Sequence, residues 1–372
     1  MIDIVETIES IYKFSKLNNH EKEFVFFSEN RNYTEVFKPI IKKFLQNNVN
    51  IIYITSDKKD FYYTHKDKNL KSFYISKTIG QIILLNNISC KNLILTMPDL
   101  DNYHIKKSKN CLNYVYLFHS AVSTNMIYRD KAFFSYDKIF CVGEHHYKEL
   151  SEYIDIKKLK NLKLVKAGYP KFDQLYSQFN KCENEFILNK ITIAPSWGKK
   201  NIFNENIIEA LQVLLDENYK INLRPHSQSF KYDKKILKKI EDKFSDNSNF
   251  KLEKGNFDFK NVFESEFLIT DWSGIAIEYA FITNRPILYV NTPKKINNKF
   301  FNDISIEPLE VKIREKIGLI IEEQNILEIG SYVKKLKKNE YLKNEIINFK
   351  KDFLYNFQKS DDFIYNKITK DC

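Results

Sequence analysis

No stretch of this 372-residue chain is apolar for long enough to cross a membrane. The opening segment Met1–Asn19 carries acidic residues and lacks the basic-then-apolar layout of a secretion signal, so the chain is expected in the cytoplasm. Cysteine is scarce. Cys90, Cys111, Cys141, Cys182 and Cys372 are scattered, odd in number and without metal-ligand spacing, which excludes a disulfide framework and a zinc knuckle and leaves free thiols. An RNA-binding aromatic signature and a recognition-helix pattern are also missing, so nucleic acid is not an expected partner. Glycine and proline are few, eight of each, but with so much Asn, Lys, Ile, Phe and Tyr this is a composition bias that says little about function. No internal repeat or low-complexity segment is present.

What the chain does have is apolar material for cores, 43% hydrophobic residues and 15% aromatic, over a length that suggests two domains. Its formal net charge of +11 asks for an acidic partner such as a phosphorylated substrate or an anionic membrane surface. Many lysines fall in helix-like stretches, Lys231–Lys243 and Lys334–Lys351. They read either as solvated helix faces or as a means of peripheral attachment to the inner face of the cell membrane.

Strand and helix patterns alternate almost throughout. The first half gives strands at Glu23–Phe27, Asn50–Thr55, Asn92–Thr96, Asn113–Phe118, Lys138–Val142 and Leu162–Ala167. Helices are expected at Met1–Leu17, Tyr33–Gln46, Lys77–Asn87 and Glu144–Tyr153, and a further one near Asn125–Phe134. Gly168-Tyr169-Pro170 breaks the series, and the polar stretch Gln174–Asn189 is the expected linker. A second series follows, with strands at Lys190–Ala194 and Lys220–Leu223, helices at Asn204–Asp216 and Tyr232–Phe244, and a largely helical tail from Glu315. Short buried strands joined by helices imply parallel pairing. The expectation is an α/β chain with two Rossmann-like domains facing a cleft, one over residues 1–180 and one over 190–330, followed by a helical tail over 331–372 that packs back on the first.

Glu266–Val290 is the most informative stretch. The apolar run Phe267-Leu268-Ile269 leads into Thr270-Asp271-Trp272-Ser273-Gly274, then a helix containing Glu278, then Arg285-Pro286 and a second apolar run. Asp271, Ser273 and Gly274 thus fall at a strand's carboxyl end and a helix's N-terminus, where backbone N–H groups and the helix dipole favour a phosphate. The same residue types serve as ordinary helix caps, so both readings stand on spacing alone. Three other strand ends carry polar groups. Arg224-Pro225-His226 offers a planar fork and an imidazole for phosphate oxygens. Ser196, Trp197 and Lys199 in Ala194–Lys200 could line a base or phosphate pocket, or form a plain Pro/Gly turn. His119, straight after the strand Asn113–Phe118, is placed to act as a general base or to sit as a capping histidine. His145-His146 lacks metal partners and reads as a polar helix start.

Taken in order, Ala194-Pro195-Ser196-Trp197, Arg224-Pro225-His226, Thr270-Asp271-Trp272-Ser273 with Glu278-Tyr279-Ala280, and Arg285-Pro286-Ile287-Leu288 resemble the CDP-glycerol:poly(glycerophosphate) glycerophosphotransferase family. Gly168-Tyr169-Pro170-Lys171-Phe172-Asp173 looks like that family's interdomain segment, and His119 falls where it places an N-domain histidine. The likeness spans roughly residues 114–290. It implies a GT-B fold, with the donor held by the C-terminal domain and the acceptor side in the N-terminal one, and metal-independent transfer. Carried over by position, His119 and His226 are catalytic. Ser196, Trp197, Lys199, Arg224, Asp271, Trp272, Ser273, Gly274 and Glu278 are implied to hold the donor. The family's His-Gly-Thr is His119-Ser120-Ala121 here, the proline after its second histidine is Ser227, and one serine of its Ser-Ser pair is Gly274. These departures bear on which group is transferred.

The resemblance implies an enzyme of surface-polysaccharide assembly that moves a polyol phosphate from a CDP-linked donor to a glycan or lipid-linked acceptor. A GT-B glycosyltransferase using a nucleotide sugar for capsule, lipopolysaccharide or teichoic-acid-like polymers is the alternative. Only the first leaves a new phosphodiester. A non-catalytic module that recruits anionic glycans would bind without nucleotide dependence and weaken steeply with salt.

Overall fold

The computed structural model describes residues 2–181, 186–255 and 259–371, so Cys182 and Cys372 lie outside it. Thirteen strands form two sheets, all parallel where paired. β1 (Phe24–Ser28), β2 (Ile51–Thr55), β3 (Leu70–Tyr74), β4 (Cys90–Leu95), β5 (Cys111–Leu117), β6 (Lys138–Cys141) and β7 (Lys163–Lys166) make one, in the order β3-β2-β1-β4-β5-β6-β7. β8 (Ile187–Ile193), β9 (Lys220–Leu223), β10 (Phe250–Leu252), β11 (Ser265–Thr270), β12 (Ile287–Asn291) and β13 (Gly318–Glu322) make the other, in the order β10-β9-β8-β11-β12-β13.

The strands read as continuous apolar runs because helices cover both faces of a parallel sheet. All residues of β1, β2 and β11 are buried. The first core joins Phe24 and Phe26 to Val36, Phe37, Ile40, Ile41 and Phe44 of the helix Thr34–Gln46, which recur at helical spacing. The second joins Ile191, Ile193, Leu223 and Ile269 to Ile207, Ala210, Leu211 and Leu214 of the helix Glu205–Asp216.

By compactness the chain divides into two units. One holds residues 1–174, 297–306 and 354–372, and the other residues 175–296 and 307–353. Several expectations are corrected. The first half of the polar stretch Gln174–Asn189 is helical, in Pro170–Lys181, because Phe172, Leu175 and Phe179 bury one face. The stretch Asn125–Phe134 is not a regular helix but a run of turns. β13 interrupts the tail expected to be helical from Glu315, pairing with β12 from Ile287↔Gly318 to Asn291↔Glu322. β3 and β10 lack a strong alternating signature and escape the sequence reading. Among the described residues no helix is long and apolar enough to cross a membrane. Cys90, Cys111 and Cys141 are buried free thiols.

The Gly168–Asp173 segment acts as a seat for the C-terminal helix Ser360–Asp371. Asp173 accepts from the backbone N–H groups of Gln358 (2.8 Å) and Ser360 (3.0 Å) and from the Ser360 hydroxyl, and burial pushes its pKa up to about 6. Gly168 has φ +95°, and a Cβ there would drive into the Tyr355 carbonyl oxygen and the Ser360 side chain. Gly168→Ala is therefore expected to cost roughly 2 kcal/mol from strain and displacement together. In a thermal melt this is a fall of about 5 °C. An unchanged melting temperature would show that the tail does not rest on Gly168.

Candidate active site

In the second sheet the strand order reverses between β8 and β11, the place where open α/β sheets take ligands beyond their carboxyl ends. The loops after β8, β9, β11 and β12 supply its polar groups. Asp271 ties two of them together. Fully buried, its carboxylate accepts from the Ser196 backbone N–H (2.7 Å), the Ser196 hydroxyl (3.1 Å) and the Trp272 N–H (2.6 Å). Burial raises its pKa, against the pull of these donors. Asp271 and Ser196 therefore hold the loop's shape. Trp272 is likewise turned inward, with its indole N–H on the Thr292 carbonyl at 2.8 Å and the Arg314 guanidinium 4.1 Å above its ring. Glu278 stands in the first turn of the helix Ile275–Thr283 but is buried, at 7% exposure.

The outward-facing part is the helix start. Ser273 and Gly274 are half-buried, and Gly274 caps the helix at φ −63°. Glycine is thus not required there by conformation; what it contributes is a backbone without a side chain over it. The N–H groups of Ala276 and Ile277 bond the Ser273 and Gly274 carbonyls at 3.2 Å, and the positive end of the helix dipole at this start suits it to an anion.

At the end of the neighbouring strand β8, Trp197 stacks against His226 and Tyr232, with ring centroids 5.9 and 6.1 Å away and interplanar angles of 26° and 18°. Trp197 is 38% exposed, so the group presents an aromatic platform to solvent. Lys295 lies 4.5 Å from the Trp197 ring and donates to its carbonyl at 3.1 Å. Desolvation lowers the Lys295 pKa, partly offset by Asp271. Desolvation against its neighbours, and then the charge of Lys295, also lowers the pKa of His226. Lys199 is exposed. Arg224 is brought to the same strand end but is buried, 3.9 Å from Glu253 and over the ring of Phe259, so its guanidinium is engaged with the protein.

His226 Nδ1 accepts from the Gln228 N–H at 3.2 Å, so in the neutral ring the proton sits on Nε2. His119, in the first unit, is set the other way. Its Nδ1 lies 3.1 Å from the Thr96 carbonyl, which can only accept, so the proton is on Nδ1 and Nε2 keeps its lone pair. Tyr33 and Tyr128 pack edge-on to the ring, and the Tyr169 hydroxyl donates to the His119 carbonyl at 2.7 Å. Desolvation lowers the His119 pKa to about 4, so the imidazole is neutral at pH 7.

Sequence reasoning missed Lys295 and Arg314, and gave Tyr169 only as part of the interdomain segment. Lys295 had a weak signal, lying in the Lys294-Lys295 pair beyond the β12 strand end, but it is one of many lysines. Arg314 comes from a four-residue helical turn with no motif, and only the fold brings it onto Trp272.

The parallel sheets, the helices on their faces and the strand-end site define an α/β protein of the GT-B type, and solved structures agree in fold. The wall teichoic acid polymerase TagF, soaked with CDPG, superposes with a TM-score of 0.58 at 14% identity, over 100% of this chain and 94% of that one. MnaA from S. aureus with UDP gives 0.59 at 14% identity, over 94% and 96%. The UDP-GlcNAc 2-epimerase of Neisseria meningitidis gives 0.59 at 13%, over 93% and 99%. A search of curated protein sequences yields no match. The chain belongs to the CDP-glycerol:poly(glycerophosphate) glycerophosphotransferase family, whose model matches residues 10–296, and is a glycerophosphotransferase-like enzyme.

Proposed function

We propose that the protein transfers glycerol phosphate from CDP-glycerol to a hydroxyl of a surface glycan or lipid-linked acceptor. His119 Nε2 takes the hydroxyl proton as the acceptor oxygen attacks the phosphorus that bears glycerol. A new P–O bond forms there, the bond to the bridging oxygen breaks, and CMP leaves. His226 Nε2–H, Lys295 and the N–H groups at the Ser273 helix start stabilise the charge that develops on the leaving phosphate. The Trp197 platform takes the nucleobase, and Arg224, braced by Glu253, supports the loop that carries His226. The observation that carries this reading is the opposite protonation of the two neutral histidines, each set by a backbone hydrogen bond. The net positive charge supports reversible attachment to anionic lipid at the inner face of the membrane, where lipid-linked acceptors are found.

Thermal stabilisation by CMP, CDP, CDP-glycerol, CDP-ribitol, UDP and UDP-sugars tests the donor. A ligand at a hundred times its Kd stabilises by about 2.7 kcal/mol, a rise of several degrees. The expected pattern is a selective response to CDP and CDP-glycerol. A larger response to UDP or a nucleotide sugar would transfer the chain to the glycosyltransferase reading, and none from a folded sample would remove the Ser273 phosphate site.

A further inference from the structure

His119 is followed by a loop, residues 120–127, with no sheet or helix ladder of its own, yet Ala121–Met126 are buried. Backbone groups so placed must find partners elsewhere. They find them in side chains and backbone groups from two separate pieces of chain. His145 Nε2 bonds the Ala121 carbonyl at 2.8 Å and His146 Nε2 the Val122 carbonyl at 2.7 Å. Glu149 accepts from both the backbone N–H (2.5 Å) and the hydroxyl (2.6 Å) of Thr124. Asn298 Nδ2 donates to the Asn125 carbonyl at 2.9 Å, the N–H groups of Asn297 and Asn298 reach the Met126 carbonyl at 3.0 and 3.3 Å, and Asn297 Nδ2 takes the Ile127 carbonyl at 2.8 Å. On the other side of His119, the His146 ring lies against Phe118 with centroids 3.9 Å apart. The catalytic position is therefore bracketed on both sides by one helix.

His145 and His146 stand in the first turn of the helix Glu144–Lys157, as the sequence suggested, but their rings turn inward and donate to carbonyls. Burying two imidazoles and a carboxylate is expensive compared with apolar packing. Such groups bring directional bonds, which fix a loop's path where apolar contacts would let it slide.

We propose that His145, His146 and Glu149, with Asn297 and Asn298, are positioning residues that hold the 120–127 loop so that His119 Nε2 keeps its aim at the acceptor hydroxyl. This rests on the reading of His119 as the base. His146→Leu and Glu149→Leu remove the bonds. His146→Gln and Glu149→Gln restore, respectively, a donor near the Nε2 position and an acceptor for Thr124. CMP release from CDP-glycerol, with a membrane fraction as the acceptor source, should fall at least tenfold in kcat in the Leu variants, since a displacement of about 1 Å can cost a hundredfold. Stabilisation by CDP-glycerol should be unchanged, and the Gln variants should regain most of the rate. In ¹⁵N-histidine spectra, the His119 signal, identified by its loss in His119→Ala, should show a single Nδ1–H tautomer in the wild type and a mixture in the Leu variants.

Folded Leu variants with wild-type kcat and an unaltered His119 tautomer would overturn the proposal, as would Gln variants as slow as the Leu ones. Should the Leu variants not fold, Thr124→Val keeps the side-chain shape and removes only the hydroxyl bond to Glu149. A smaller rate loss with tautomer mixing is expected of it, and a wild-type rate and spectrum would overturn the proposal. Undiminished turnover in His119→Ala would instead sink the base assignment, and the ¹⁵N spectra would still decide the clamp.

Discussion

His119→Ala is expected to abolish transfer while leaving CDP-glycerol stabilisation intact. The alanine removes the lone pair that would take the acceptor proton, and a positioned general base contributes roughly 10²–10⁴ in rate. The imidazole ring bonds the Thr96 carbonyl, and its removal leaves the main chain around it held by Tyr169. Folding should survive. The pH dependence provides a second check. Desolvation puts the His119 pKa at about 4, below the ordinary 6.5. The base is neutral above that value and protonated below it, so kcat/KM should hold as pH falls through 6.5 and decline only as it nears 4. An acid limb at an ordinary histidine value, or a variant with wild-type turnover, would remove His119 from the proton transfer.

Asp271→Ala should produce the largest loss of stability. It strips the shared acceptor from the Ser196 N–H, the Ser196 hydroxyl and the Trp272 N–H, all buried. A buried donor left without a partner costs about 1–3 kcal/mol. With some relaxation of the loops, the sum should be roughly 3 kcal/mol or more. That corresponds to a melting temperature lower by about 10 °C. The nucleotide response should vanish with it, because the loops after β8 and β11 lose their tie and the Ser273 helix start is no longer set against the Trp197 platform. Asp271→Asn keeps the volume and one acceptor, and should fall between alanine and wild type. An alanine variant that melts like the wild type would mean that the carboxylate is not the joint between these loops.

The legible features were the ones that depend on local pattern. Apolar runs such as Phe24–Phe27 and Phe267–Ile269 show as strands because both faces of a parallel sheet are covered, and the helix Glu205–Asp216 shows through its 3.6-residue period. Strand ends follow from strands, so His119, Ser196, Arg224, His226, Asp271 and Ser273 could be singled out before any coordinates. Edge strands were harder. β3 is only partly buried and β10 has three residues, so neither makes a long apolar run.

Composition and order along the chain by themselves determined the α/β class, the strand-end location of the polar residues and, through ordered motifs, the family. Which way those residues point was decided by tertiary structure alone. Asp271 and Trp272 turn inward, Arg224 is taken up beside Glu253, and Lys295 and Arg314 arrive from distant segments. The tautomers of His119 and His226 are set by backbone groups of Thr96 and Gln228, whose direction no residue type encodes. The reason is physical: periodicity records which face of an element is buried, but hydrogen-bond direction and charge pairing depend on groups that meet only when separate elements pack.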